Sequence, residues 1–556
     1  MAKIHTLKIE NFRCLKKFTH IFEDSDLVCI IGRGDSGKTT ILNAISAVLS
    51  PNWNHSFYDT DFYDGDIENG ILIEATLYDL PIELLSDSKF GLYKRLINSK
   101  NEIIDDILSD DLEDSKDALT IRLLVNSDLE PKWYVINNRD EQEAIEIRAN
   151  DRAKLNVFIV SDYLDRHFSW SKGNPLYSLL KQMEVEIETD KIISEANRKA
   201  KKSIKGSDSF NSFASVLDCI KEAASNIGLS TGDLETFIDF KNTLITEGSI
   251  SLHNGNIPFR LKGKGTRRLL SIAIQLELVK EGGIILIDEL EQGLEPDRAK
   301  FLSKYLKDNN KGQIFITTHS NNILVELEAK HIFLKNINSE ELYRFSEEFQ
   351  GCIRNNPEAF FAKKVIVCEG ATEVGICRAL NNHRINNTQN NLSVLGIAII
   401  DGNGDNFINY CLKLKQAGFD VCAFCDSDKE SVNNEKANLR TKEIIVIDCK
   451  QNNSIEQQLF LELPWDKVQM LVDYAIEEKS EESILVVTGK TSKTDLIGED
   501  NPPIRLLLGP KSKEKGWYKR IDHGEFIGSL WFNSLSELTN TTLNSEYETL
   551  TKWIEK

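Results

Sequence analysis

A chain of 556 residues with 41% hydrophobic and 28% charged side chains is too long for one core and too apolar to stay disordered, so two to four globular domains are expected. A formal net charge of −20 excludes a protein that coats nucleic acid by bulk positive charge, leaving local basic patches or bridging metal ions for any such contact. The ten cysteines, several inside apolar runs, read as reduced thiols of a cytoplasmic protein, and no run reaches the 18 uninterrupted apolar residues a membrane span needs.

Residues 3–31 alternate like paired strands, KIHTLKIENF and then LVCII, and a helix (TTILNAISAVL) follows a glycine-rich turn. Residues 71–80 and 155–160 read as further strands, with an acidic, solvated excursion at 102–118. Residues 162–248 read as a helical insertion and dimerisation arm that separates 1–161 from 249–345; a polar linker occupies 346–362. From 363 to 556 strands and helices alternate (KKVIVCEG, LGIAIIDGNG, DVCAFCDSD, EIIVIDCK, SILVVTG), which predicts a parallel α/β sheet. Cys422 and Cys425 look like half a zinc site, but no second pair follows and both fall in a predicted strand, so they read as core. Basic patches occur at 198–205, 262–268 and 511–520; each alone reads as a solvated face.

The glycine-rich turn is GRGDSGKT, between an apolar strand and a helix, which is the setting a phosphate loop requires. Gly32, Arg33, Gly34, Asp35, Ser36, Gly37, Lys38, Thr39 and Thr40 are therefore candidate nucleotide contacts, with Lys38 reaching the β- and γ-phosphates and Thr39 ligating Mg²⁺. The buried strand GIILIDE delivers Asp288 to the same Mg²⁺ and Glu289 to the attacking water. GKGTRR opens an apolar helix at the place of an ABC signature, so Gly265 and Thr266 are expected to meet the γ-phosphate of a partner's ATP. FITTHS sets His319 as the switch histidine; Asp61 or Asp64 stands where a Q-loop should, and 291–297 would cross a dimer interface. A composite site of this kind needs two heads, hence a homodimer or tetramer.

In the C-terminal region Glu369 ends a strand and Glu373 follows on the first helical turn; Asp401, Asp426 and Asp428 come at later strand ends, and Glu456 opens another helix, with Asp448 as competitor. Functional residues of parallel sheets gather beyond the strands' carboxyl ends. Acids gathered there repel one another unless cations neutralise them, so one or two Mg²⁺ or Mn²⁺ ions are expected, able to activate water against a phosphodiester. Lys515, Lys519 and Arg520 are the cations available to balance charge in the transition state, Lys519 foremost.

Taken in order, GRGDSGKT, GKGTRR, IILIDE, ITTHS, VIVCEGATE and CDSDKE resemble the OLD (overcoming lysogenization defect) family over nearly the whole chain, and the large subunit of the Gabija system looks like a relative. The resemblance implies an α/β fold: an ABC-type ATPase with a helical insertion, then a Toprim domain with a parallel sheet. It also implies an ATP-regulated, metal-dependent DNA endonuclease of antiphage defence, with DNA and a helicase-like, retron or other defence protein as partners. Competing readings are an SMC- or RecF-like repair ATPase without cleavage, a partner-dependent sensor subunit, and a topoisomerase, for which Tyr518 is the candidate nucleophile.

Overall fold

The computed structural model describes every residue except 1, 54, 106–114, 141, 161–163, 172–173, 186–211, 239–249, 281, 310–311 and 451. The chain divides into two units, Met1–Gln350 and Gly351–Lys556.

In the first unit the wholly apolar strand Leu27–Ile31 is buried at every position, as a strand covered on both faces must be. It lies inside a sheet ordered Val157–Val160, Ile284–Ile287, Gln313–Thr317, Leu27–Ile31, Ile332–Leu334, all parallel, with Tyr343–Arg344 antiparallel at the edge. A second, antiparallel sheet sets Lys3–Phe12 between Leu15–Ile21 and Ile71–Tyr78 and continues to Lys116–Val125. The helix Lys38–Val48 buries Ile41, Leu42, Ala44, Ile45, Ala47 and Val48 in a core shared with Ile9, Ile73, Leu286 and Phe315, so strands of both sheets hold it in place. That packing aims the helix N-terminus, and the glycine loop before it, at the carboxyl ends of the parallel strands.

The 162–248 segment departs from the helical expectation. Pro175–Gln182 and Ala214–Asn226 are helices, but Leu234–Ile238 is a strand, antiparallel to Ile250–Asn254 from Leu234↔Asn254 to Ile238↔Ile250. Leu, Thr, Phe and Ile within LETFI favour extended backbone, and the neighbouring strand satisfies its amides, which local propensity could not reveal. Residues 186–211, including the basic 198–205 patch, lie outside the described residues. The 346–362 stretch is folded: Glu347–Phe349, Gln350–Asn355 and Pro357–Phe361 are short helices that bury Phe349, Cys352, Ile353, Ala359 and Phe360.

The second unit has a parallel sheet ordered Ile397–Asp401, Lys364–Cys368, Asp420–Phe424, Ile445–Ile447. Cys422 and Cys425 are buried in its core. The expected strand SILVVT is instead a helix, Glu481–Thr488. Ser480 caps its first turn through Ser483 N, Gly489 ends it in the left-handed region, and the buried pair Ile484 and Thr488 has helical spacing. Two helices, Ala371–Asn386 and Ile521–Asn533, meet backbone to backbone through glycines. A Cβ on Gly375 would lie 2.1 Å from Ile521 O, and one on Gly524 would lie 2.2 Å from Thr372 O.

Candidate functional site

In the first unit, Gly34 to Thr40 line a cleft of about 330 Å³ with Cys14, Glu289, Thr317 and His319. Lys38 is buried and donates to the carbonyls of Gly32 (2.9 Å) and Arg33 (2.8 Å), folding back on its own loop. Burial lowers its pKa to about 8 against the pull of Asp288, Glu289, Asp35 and Glu291. Thr39 Oγ1 donates to Asp288 Oδ1 (3.1 Å); Thr317 Oγ1 donates to the same oxygen (2.6 Å) and accepts from Glu289 N (2.7 Å). The loop and the acidic strand end thus share one hydroxyl-bridged carboxylate.

Glu291 clamps the turn that follows the strand Gln313–Thr317: its carboxylate accepts from His319 N (2.6 Å) and Thr318 Oγ1 (2.7 Å). Burial lowers the pKa of His319, with Lys38 adding to the effect. Gly265 and Thr266 sit on the first turn of the helix Lys264–Leu278, and a Cβ on Gly265 would lie 2.3 Å from Gly293 O. Arg268, on the same helix, is buried and donates to the carbonyls of Asp288 and Glu289 and to Gln292 Oε1. Asp61 is engaged structurally, taking Arg13 Nε (2.8 Å) and Tyr58 N (3.0 Å); Asp64 adopts φ 55° in a turn.

In the second unit the strand ends bring most of the predicted acids together. Asp426 N donates to Glu369 Oε2 (3.1 Å), and Ile455 N, at the start of the helix that carries Glu456, donates to Asp426 Oδ1 (2.6 Å). Glu373 caps its own helix by accepting from Gly370 N (3.0 Å). Glu369, Glu373, Asp426 and Glu456 are all buried. Burial, then the charges of Glu456, Asp428 and Glu369, push Asp426 up to about 8; burial and Asp426 raise Glu373 as well. Asp401 ends the neighbouring strand, in register with Cys368, but its carboxylate accepts from Asn403 N (2.8 Å) in its own loop. Asp448, the competitor, faces Lys436 and Arg440, each at 3.2 Å.

The AAA ATPase domain family matches residues 2–324, more than half of the chain, and the Toprim domain of overcoming lysogenization defect protein-like proteins matches residues 360–428. The chain belongs to the OLD family. Its two domains support a nuclease-type function and imply the use of ATP and a divalent metal. No curated protein matches this OLD-family sequence. Solved structures similar to it include the Smc head domain of Pyrococcus furiosus with an extended coiled coil, bound to the C-terminal domain of ScpA (13% identity, 64% of this chain and 98% of that one, TM-score 0.38). The SMC head domain from Thermotoga maritima (13%, 62% and 99%, TM-score 0.31) and RecF with ATP (13%, 62% and 99%, TM-score 0.36) are others.

Within the OLD-family Toprim site, lysines answer the acids. Lys429 Nζ lies 2.7 Å from Glu369 Oε1, Lys519 Nζ lies 3.1 Å from Glu456 Oε1, and Lys513 pairs with Asp428. Lys519 thus reaches the acids, whereas Lys515 pairs with Glu514 and Arg520 with Asp522 and Glu478. Burial works against the charge of Lys519, yet Glu456 holds its pKa above the usual value; the hydrogen bond to Glu369 does the same for Lys429. Lys429, Lys436 and Lys513 were not expected at the acids from the sequence. Lys429 follows the DSD motif directly and Lys513 lies in a basic run, so proximity to acids was the available signal. Tyr518 is fully buried and its hydroxyl donates to Leu471 O (2.7 Å), so it is no nucleophile.

Among the described residues no three His, Cys, Asp or Glu side chains converge as they stand on a point that could hold an ion. The donors nevertheless fit a hard divalent cation in kind. They are carboxylate oxygens only; Asp428 Oδ1 and Glu456 Oε2 are buried without a hydrogen-bond partner, while Glu456 Oε1 has Lys519 Nζ at 3.1 Å. A carboxylate oxygen buried without a hydrogen bond of its own is costly even where the other oxygen meets a lysine. No helix among the described residues is long and apolar enough to cross a membrane.

Proposed function

We propose that this protein is an ATP-regulated, divalent-metal-dependent DNA endonuclease, acting in antiviral defence as a cytoplasmic homodimer or tetramer. The observation that carries the nuclease reading is the buried acid group: Glu369 and Asp426 joined by a hydrogen bond, with orphaned oxygens on Asp428 and Glu456 beside them. Glu369, Glu373, Asp426, Asp428 and Glu456 would hold one or two Mg²⁺ or Mn²⁺ ions, with Asp401 at the margin. Bound there, such ions supply Lewis acidity and a more acidic water.

The chain's own residues do the rest. Lys519, already beside Glu456, is the cation that balances charge on the scissile phosphate, and Lys429 and Lys513 are within the same acid group to hold the strand's phosphates. In the ATPase unit the backbone amides of residues 34–39 cradle the nucleotide's phosphates, Lys38 turns from its two carbonyls to the β- and γ-oxygens, and Glu289 orients water. Thr39 and Asp288, already hydrogen-bonded, would hold the Mg²⁺ of ATP. Gly265 and Thr266 would complete a partner's site, and His319 would contact its own γ-phosphate.

The test is incubation of the full chain with supercoiled plasmid and Mg²⁺ or Mn²⁺, with and without ATP. Nicked or linear product, absent for Asp426→Ala, is the expected result. Normal cleavage by Asp426→Ala would remove the assignment.

A further inference from the structure

Lys436 is a buried cation that neither the sequence motifs nor the proposed mechanism uses. It projects from the helix Glu430–Thr441 and is 5% exposed. Its three N–H bonds have three acceptors: Asp426 O at 2.9 Å, Ser427 Oγ at 2.7 Å and Asp448 Oδ2 at 3.2 Å. An ammonium has three donors and no acceptor, so the match is complete. A planar guanidinium could not bring one nitrogen to all three.

The turn it holds is the one between the two aspartates. Ser427 Oγ donates to Cys449 O (2.7 Å), Ser427 N donates to Asn453 O (3.0 Å), and Ser427 O accepts from Asn433 Nδ2 (2.7 Å) and Asn452 N (3.0 Å). Every polar atom of Ser427 is therefore used beneath the site, and the carboxylates of Asp426 and Asp428 on either side of it are set by that anchoring.

We propose that Lys436 is a positioning residue for the acid site, fixing the Asp426–Asp428 turn from below so that both carboxylates face a divalent ion. This rests on the reading of the acids as a metal site. Two effects of removing Lys436 oppose each other, and that makes the proposal testable. Loss of a positive charge beside the acids by itself strengthens cation binding. Loss of the anchor weakens it, by about 10- to 100-fold where a supporting group of a metal site is removed.

The experiment is Mn²⁺ titration of the full chain, followed by the loss of the free-ion EPR signal, for the wild type, Asp426→Ala, Lys436→Met and Ser427→Ala, each with a thermal melt. The expected result is Mn²⁺ binding that Asp426→Ala abolishes and Lys436→Met weakens at least tenfold, with a several-fold loss for Ser427→Ala, which keeps the charge and removes one acceptor. Equal or tighter binding by folded Lys436→Met overturns the proposal and leaves the metal site standing. If Lys436→Met does not fold, Ser427→Ala decides: unchanged affinity overturns the proposal. If the wild type binds no Mn²⁺, or Asp426→Ala binds it equally, the metal site falls and the positioning role with it.

Discussion

Lys38 and Asp426 are the residues where burial and function pull against each other most. Lys38 keeps its charge at a pKa of about 8 while hydrogen-bonded, among the described residues, to two carbonyls, so a phosphate is a better partner than the loop it now touches. Lys38→Ala should lower ATP turnover by at least about a hundredfold, the scale of losing one preorganised electrostatic contact, while Asp426→Ala leaves it unchanged. Phosphate release by the two variants checks this. Asp426 has the opposite problem. Its folded pKa, about 8, lies above the unfolded value of 3.8, so the metal-free folded chain binds a proton that the unfolded chain releases. Its stability contribution therefore declines as pH rises from about 4 to 8. Cation binding must displace the proton, so Mn²⁺ affinity should climb between pH 6 and 8, by up to tenfold per unit for one proton. A flat profile would mean the acids do not couple. Residues of this kind were legible when they stood at motif positions, as Lys38, Asp288, Glu369 and Asp426 did. Lys436 was not, because a lysine in a helix NEKANLR looks solvated until the turn above it is placed.

At the level of helices and strands, backbone approach is the feature most sensitive to a single atom. Gly375 and Gly524 let the helix carrying Glu373 lie against the helix that follows Lys519, and Thr372 Oγ1 fastens them by donating to Tyr518 O (2.7 Å). Gly375→Ala should destabilise the second unit by about 1–3 kcal/mol, the cost of overpacking a close contact, read as a lower urea midpoint. In the antiparallel sheet His20 lies edge-on to Phe22 (4.9 Å) and Phe333 (5.6 Å). Burial, with Arg344 nearby, lowers its pKa to about 4. The unfolded chain therefore binds the extra proton between pH 6.5 and 4, and stability is lost as pH falls through that window. His20→Phe should flatten the fall in melting temperature between pH 6.5 and 4.5. Strands made of unbroken apolar runs, such as LVCII and IILI, could be read directly. LETFI and SILVVT could not, because pairing with Ile250–Asn254 decides the first and the end caps at Ser480 and Gly489 decide the second.

Across the whole molecule, the chain divides into two units, and the order of motifs along it was enough to read an ATPase domain followed by a Toprim domain. What order could not show is how each site is balanced without its ligands. ATP with Mg²⁺ should raise the unfolding temperature that Lys38→Ala makes insensitive to nucleotide, and Mn²⁺ the one that Asp426→Ala makes insensitive to metal, each by linkage to its own folded unit. Differential scanning calorimetry of the full chain with each ligand in turn checks the separation. The second site also has a particular consequence for loading. Glu369, Asp428 and Glu456 each already hold a lysine. On the proposed reading, filling the site would be an exchange of counter-ions: each ammonium displaced from a carboxylate would be freed to meet an incoming phosphate backbone, so the local charge would stay nearly level while its carriers change places.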